Sequence, residues 1–188
     1  MEGCDKVENK TFAIRSQVSA EDVIRMRKRL KLTPQRLAEF MNVSKKTVEY
    51  WERKKEPITG PVVTLLKLLE EKPALIEYYT IPERSFPLRL IYMFHDEICS
   101  IIDVDEINRS IKLYNFTDIY WKRAFGRNTE PDYRDYEEFL ESRCFPKSRD
   151  KMKLVLADLG IPFYEPLLII EKTNGRMAED DFWIRIER

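Results

Sequence analysis

The sequence predicts an α+β protein, with an all-α N-terminal domain followed by a small mixed α+β domain. Three observations predict it. Between residues 20 and 79 apolar residues recur at helical spacing, and several runs open on a capping residue. From residue 88 the composition changes to β-branched and aromatic runs separated by turn residues. Between the two, Ile81 to Pro87 contains Pro82 and Pro87 and breaks both patterns. The expected division is a tail and strand over residues 1–19, a helical domain over 20–79, a linker over 80–87 and an α+β domain over 88–188.

The elements follow in order. Residues 1–10 (MEGCDKVENK) are polar and read as a tail with no signal-peptide apolar run. Thr11 to Gln17 alternates weakly, which suggests a short strand. Ser19 with Asp22 three residues on is a helix-start signature, and Val23, Ile24, Met26 and Leu30 give the first helix its apolar side. Thr33-Pro34 opens a second helix carrying Leu37, Ala38, Phe40 and Met41. Asn42-Val43 makes a tight turn, and Ser44 caps a third helix over Lys45 to Arg53 with Val48 and Trp51 inward. Pro61 opens a fourth helix with Val62, Leu65, Leu66, Leu68 and Leu69 inward, and Pro73 starts a short segment to Tyr79.

Beyond the linker, Leu88 to Phe94 and Ile98 to Val104 read as a hairpin around His95-Asp96-Glu97, with Arg109 to Tyr114 as a third strand. Asp118 to Phe125 is expected as a short helix. Asp132 to Cys144 and Ser148 to Leu159 are expected as longer ones, the second with Ser148 as cap and Gly160 as stop. Leu167 to Glu171 fits a strand or a last helical turn. Asn174-Gly175 marks a turn before a final strand, Phe182 to Ile186.

Composition narrows the partners. Hydrophobic residues make up 43% and aromatics 12%, enough for a packed core despite 35% charged residues. The zero net charge conceals an asymmetry. Residues 1–60 hold 14 Lys and Arg against 9 Asp and Glu, a net +5, and the rest holds 19 against 24, a net −5. A basic N-terminal part suits a polyanion. Cys4, Cys99 and Cys144 are odd in number and widely spaced, so reduced thiols of a cytoplasmic protein are expected, with neither zinc site nor disulfide framework. No apolar stretch reaches the ~20 residues of a membrane helix.

The strongest chemistry lies in Leu32 to Trp51, LTPQRLAEFMNVSKKTVEYW. A short helix, a tight turn and a second helix are written there in caps and periodicity, and the small Ala38 permits a close crossing. Val43, Val48 and Trp51 pack inward, which leaves Lys45, Lys46, Thr47, Glu49 and Tyr50 free of core duty. Those side chains project from the N-terminal half of the second helix, the end that enters a major groove in helix-turn-helix proteins. The helix N-terminus adds partial positive charge and free N–H groups.

This stretch resembles the Cro/repressor-type (XRE) helix-turn-helix family. Leu32, Thr33, Leu37, Ala38, Val43, Ser44, Thr47, Val48, Trp51 and Glu52 coincide with the family's pattern. One position departs: the family's phosphate-gripping glutamine is replaced by Pro34, and Gln35 comes one place late. Lys54 to Pro61 (KKEPITGP) and the LLKLLEEKP that follows resemble the antitoxin-type regulators related to HigA and MqsA, as does the TFAIRS segment; the likeness spans residues 11 to about 78. The resemblance implies duplex DNA as partner, a homodimer on a two-fold site, and regulation of transcription by repression of its own or a neighbouring promoter. Lys45, Lys46, Thr47 and Tyr50 are the expected base contacts. Gln35, Arg36, Ser44, Lys54 and Lys55 are the expected phosphate contacts. Glu49 is placed to accept from a cytosine amino group or to pair with Lys45 or Arg53.

The second domain offers fewer handles. His95, the chain's single histidine, is expected in an exposed turn. Asp103, Asp105 and Glu106, and Glu179, Asp180 and Asp181, are expected as solvated acidic loops; as a metal or acid–base centre they lack a histidine partner. Cys144 beside Arg143 has the makings of a low-pKa thiol without a basic histidine near it. Arg143, Lys147 and Arg149 surround a helix-to-helix turn, a candidate site for an anion or acidic partner. Tyr92, Phe94, Phe116, Trp121 and Phe163 make either an aromatic core or a sensor pocket. The run FLESRCFP, then LGI, then Thr173-Asn174-Gly175 is loosely similar to the N-terminal subdomain of HipA-type toxin kinases. That likeness implies a module that binds a protein partner such as a toxin, with no kinase residues. No catalytic residue, metal or cofactor is expected.

Overall fold

The computed structural model describes residues 12–188. It contains eight α-helices and a four-stranded antiparallel sheet, a mixed α+β architecture. The chain forms two compact units, one ending at Thr80 and the other running Ile81–Arg188. The tail expected over residues 1–10, and Thr11, lie outside the described residues.

The first unit is helical. α1, Ala20–Arg29, begins with a reciprocal capping box. The Ser19 hydroxyl accepts from the Asp22 amide, and the Asp22 carboxylate accepts from the Ser19 amide at 3.0 Å. That backbone hydrogen bond holds the Asp22 carboxyl below the usual carboxylate range, against the opposing effect of burial. α2, Pro34–Phe40, is capped by the Thr33 hydroxyl, and α3, Lys45–Arg53, by Ser44. Asn42, between them, takes the left-handed conformation that asparagine tolerates. α4, Pro61–Glu71, follows Gly60 at φ 97°, a backbone state that an L side chain would strain. α5, Leu75–Tyr78, is a single turn. Val23, Met26, Leu37, Ala38, Val48 and Leu66 meet in the core between these helices.

Two details of this unit differ from expectation. Residues 12–17 form no strand: only Val18 pairs, exchanging two backbone hydrogen bonds with Ile58 at 2.9 and 2.8 Å. The neighbouring Pro57 has no N–H to extend the ladder. On α4, Val63 is buried and Leu68 is 44% exposed, because the buried stripe follows Val62, Leu66 and Leu69.

The second unit is a sheet in the order β3-β2-β1-β4. β1 (Leu88–Phe94) and β2 (Glu97–Asp105) form a hairpin, and β3 (Ser110–Asn115) adds to the outer side of β2. β4 (Phe182–Glu187) returns from the end of the chain to pair with the other side of β1. α6 (Tyr133–Ser142), α7 (Met152–Asp158) and α8 (Pro166–Thr173) lie between β3 and β4 in sequence. Leu90, Tyr92, Ile102 and Ile184 on one sheet face share a core with Phe139, Leu156 and Ile170 from these helices. The alternate residues Ile91, Met93 and Ile101 form a second cluster with Phe116.

Here too the structure corrects particular expectations. Asp118 to Phe125 contains only a short 3₁₀ turn at Tyr120–Lys122. Arg123 holds that loop by donating to the Thr117 carbonyl and the Asp118 carboxylate. α7 starts at Met152, not after Ser148, which does not cap it; residues 146–149 close a turn of their own and Lys151 is left-handed. Of the two readings of Leu167 to Glu171, the chain takes the helix: Pro166 occupies its first turn and Asn174 ends it in the left-handed conformation. Among the described residues no helix is long and apolar enough to cross a membrane.

Candidate nucleic-acid interface

α2 and α3 are joined by the turn at residues 41–44, and three residues fix one side of α3. Val48 is fully buried against α1 and α2 neighbours. Trp51 is half-buried beside Met41, Val43 and Val62, so it packs and does not serve as an exposed stacking platform. Glu52 makes a two-point ion pair with Arg27 of α1: Nε to Oε1 is 2.5 Å and Nη2 to Oε2 is 3.1 Å. Arg27 also donates to the Leu32 carbonyl at 3.1 Å, which ties the α1–α2 connection to the same cluster. The motif supplied Glu52; its partner 25 residues earlier carried no sequence signal.

With one side locked, the other is presented to solvent. Lys46, Tyr50 and Arg53 are all exposed, and their spacing of four and three residues puts them on one stripe. Tyr50 is 59% exposed, and the Lys54 ammonium lies 5.7 Å from its ring centroid. Lys46 and Lys55 have no carboxylate partner among the described residues. Lys45 pairs with Glu49 at 3.4 Å, one of the two pairings expected for that glutamate.

The cap itself is closed. The Ser44 hydroxyl accepts from the Thr47 amide at 3.1 Å and shares a hydrogen bond with the Thr47 hydroxyl at 2.8 Å. Thr47 is therefore half-buried and engaged, and offers chiefly its methyl group. The amides of Lys45 and Lys46 are among those a helix start leaves without an intrahelical acceptor.

On α2 the two expected phosphate ligands converge on one acid. Gln35 donates to Glu39 Oε1 and Arg36 to Glu39 Oε2, each at 3.0 Å. The Gln35 hydrogen bond, with a smaller contribution from Arg36, lowers the Glu39 carboxyl below its ordinary value against opposing desolvation. Sequence reasoning missed Glu39, although its spacing from both residues was readable.

The second unit uses its candidate groups internally. Asp103 is not in an acidic loop but fully buried. It accepts from Arg89 Nε at 2.6 Å, Arg89 Nη2 at 2.8 Å and the Ser85 amide at 2.7 Å. The hydrogen bonds it donates to Asp103 outweigh burial and hold the Arg89 guanidinium above its ordinary pKa. Arg143 is 6% exposed and bonded to the Gly175 and Phe182 carbonyls and to both oxygens of Asp180, so it is not open to an external anion. Lys147 pairs with Glu141, and Arg149 lies over the Phe145 ring. Asp181 lies 3.5 Å from His95 Nε2, and His95 is exposed in the β1–β2 turn. Cys144 is buried, and desolvation pushes its thiol up to about 12, the opposite of an activated nucleophile.

The five aromatic residues considered as a pocket do not share one. Tyr92, Phe94 and Trp121 cluster with Phe182, Phe116 is in the cluster containing Ile91, and Phe163 is 59% exposed. No group of three or more His, Cys, Asp and Glu side chains is placed to hold a metal among the described residues. No protein-family model, curated protein or solved structure matches the chain.

Proposed function

We propose that the N-terminal unit binds duplex DNA sequence-specifically, with α3 in the major groove, and that the protein regulates transcription. The observation that carries this reading is the exposed stripe of Lys46, Tyr50 and Arg53. It lies on a capped helix whose opposite side is locked by Val48, Trp51 and the Arg27–Glu52 pair. Such a helix can enter a groove without rearranging its core. Lys46 and Tyr50 meet base edges near its N-terminal half, while Arg53, Lys54 and Lys55 follow the phosphate backbone. The Lys45–Glu49 and Arg36–Glu39 pairs reopen when phosphate arrives. Solvent-exposed pairs are worth only about 0–1 kcal/mol, so this opposes binding weakly.

A single α3 contacts few bases, so we propose a homodimer on a two-fold operator with half-sites about 34 Å apart. The test is selection of bound duplexes from a random pool, followed by anisotropy titration of the selected and scrambled duplexes at several salt concentrations. The expected result is an enriched two-fold sequence, tighter binding to it than to the scramble, and a steep fall with salt from counterion release. Absence of enrichment, or binding indifferent to both sequence and salt, overturns the proposal.

A further inference from the structure

A cavity of about 440 Å³ opens in the second unit, lined only by residues of that unit. Its floor is apolar, formed by Leu140, Pro166 and Leu167, and its walls carry tyrosines and glutamates. Tyr136 is 2% exposed, and its hydroxyl has no hydrogen-bond partner among the described residues. A buried hydroxyl without a partner is costly and uncommon in a native fold. Burial raises its pKa, and the charges that add to the effect belong to Tyr133, Glu106, Glu165 and Glu137. All four line the cavity, and so does Tyr136 itself.

The rim already shows what this chemistry holds. Arg109 lies 4.5 Å over the Tyr133 ring and 3.0 Å from Glu137. Lys147 lies 5.4 Å over the Tyr164 ring and 2.6 Å from Glu141. Each is a cation between a tyrosine face and a carboxylate, a favourable pairing. Glu106 and Glu165 have no cation partner among the described residues. The cavity wall and its two rim cations therefore carry two uncompensated carboxylates beside one unpaired hydroxyl.

We propose that this cavity binds a small organic dication of the alkyl-diamine class. Its ammonium groups neutralise Glu106 and Glu165, and its methylenes lie on Leu140 and Leu167. The Tyr136 hydroxyl, itself sealed from solvent, gains its missing partner when the ligand draws a neighbouring carboxylate inward. Two positive charges match the two free carboxylates in number, and a monoamine leaves one of them unpaired.

Isothermal titration of the full chain, without DNA and at low salt, tests this with putrescine, spermidine, butylamine and butanediol. Putrescine or spermidine should bind saturably at one site per chain, butylamine at least about tenfold more weakly, and butanediol not at all. The Glu106→Gln/Glu165→Gln pair should weaken diamine binding by at least about tenfold. Tyr136→Phe, which keeps the ring and removes only the unpaired hydroxyl, should weaken it severalfold with an unchanged circular dichroism spectrum. The remote Glu179→Gln should bind like the parent. No saturable binding of either amine overturns the proposal, and so does equal binding by the double variant, which indicates diffuse attraction to an acidic surface. Butylamine binding as tightly as putrescine overturns the dication assignment. A capped lysyl peptide binding more tightly than every diamine overturns it in favour of a protein side chain.

Discussion

Replacing Asp103 by alanine should be among the most damaging single changes in the second unit. Asp103 is fully buried in β2 and Arg89, its cross-strand neighbour in β1, is 5% exposed. The substitution removes three acceptances, at 2.6, 2.8 and 2.7 Å. The Arg89 guanidinium is left with the Pro82 carbonyl at 2.9 Å as its remaining acceptor. An exposed pair would contribute about 0–1 kcal/mol, whereas breaking a buried one strands a desolvated charge and costs about 3–5 kcal/mol. For a unit of this size that corresponds to a fall in Tm on the order of 15–25 °C.

Urea unfolding followed by tryptophan fluorescence measures the loss, since Trp121 and Trp183 belong to this unit. Arg89→Met combined with Asp103→Leu should recover most of it, because an apolar pair removes the stranded charge. Hydrogen exchange at the Ser85 amide should accelerate in Asp103→Ala, since that amide loses its acceptor. A cost below about 1 kcal/mol, or a double variant as unstable as the sum of the singles, would refute the assignment of this pair as the fastening of segment 82–85 to the sheet.

Three further outcomes are expected. Lys46→Ala should lower affinity for a selected duplex on the order of ten- to hundredfold and relax preference at one position, while Lys54→Ala should weaken all duplexes and reduce the salt slope by about one; anisotropy titrations across salt distinguish them. Cys144 should resist iodoacetamide at pH 8 in the native protein and react in urea, as peptide mapping would show, because burial keeps it a thiol. The Asp180 carboxyl is held low by hydrogen bonds from Arg143, against burial, so its folded pKa lies below the unfolded value of about 3.9. Its contribution to stability is complete above that value and is lost as pH falls through the folded one. Asp180→Asn should therefore flatten the acid limb of a Tm-versus-pH curve, and an unchanged limb would exclude the Arg143 pairing as its cause.

Sequence alone determined the features whose physics is local. Ser19 with Asp22, Thr33 before Pro34, and Ser44 before Lys45 each fix a helix start through side chains three or fewer residues away. The Lys46–Tyr50 stretch of the candidate interface was legible for the same reason: helical spacing separates it from Val48 and Trp51 on any backbone of that type. The strands of the β1–β2 hairpin followed from residue type and a turn.

Tertiary structure decided what depends on partners distant in the chain. Asp103 and Asp105 look alike in sequence, yet one is buried against Arg89 and the other ends its strand at the surface. Arg143 reads as a surface cation until Gly175, Asp180 and Phe182 close around it from more than 30 residues away. Ser148 has the chemistry of a cap but not the backbone conformation, since the chain is already committed to the 146–149 turn. The unpaired hydroxyl of Tyr136 is invisible in any single stretch. It arises only because α6, the β2–β3 turn and the start of α8 enclose one space, and a hydroxyl's cost depends on what shares that space with it.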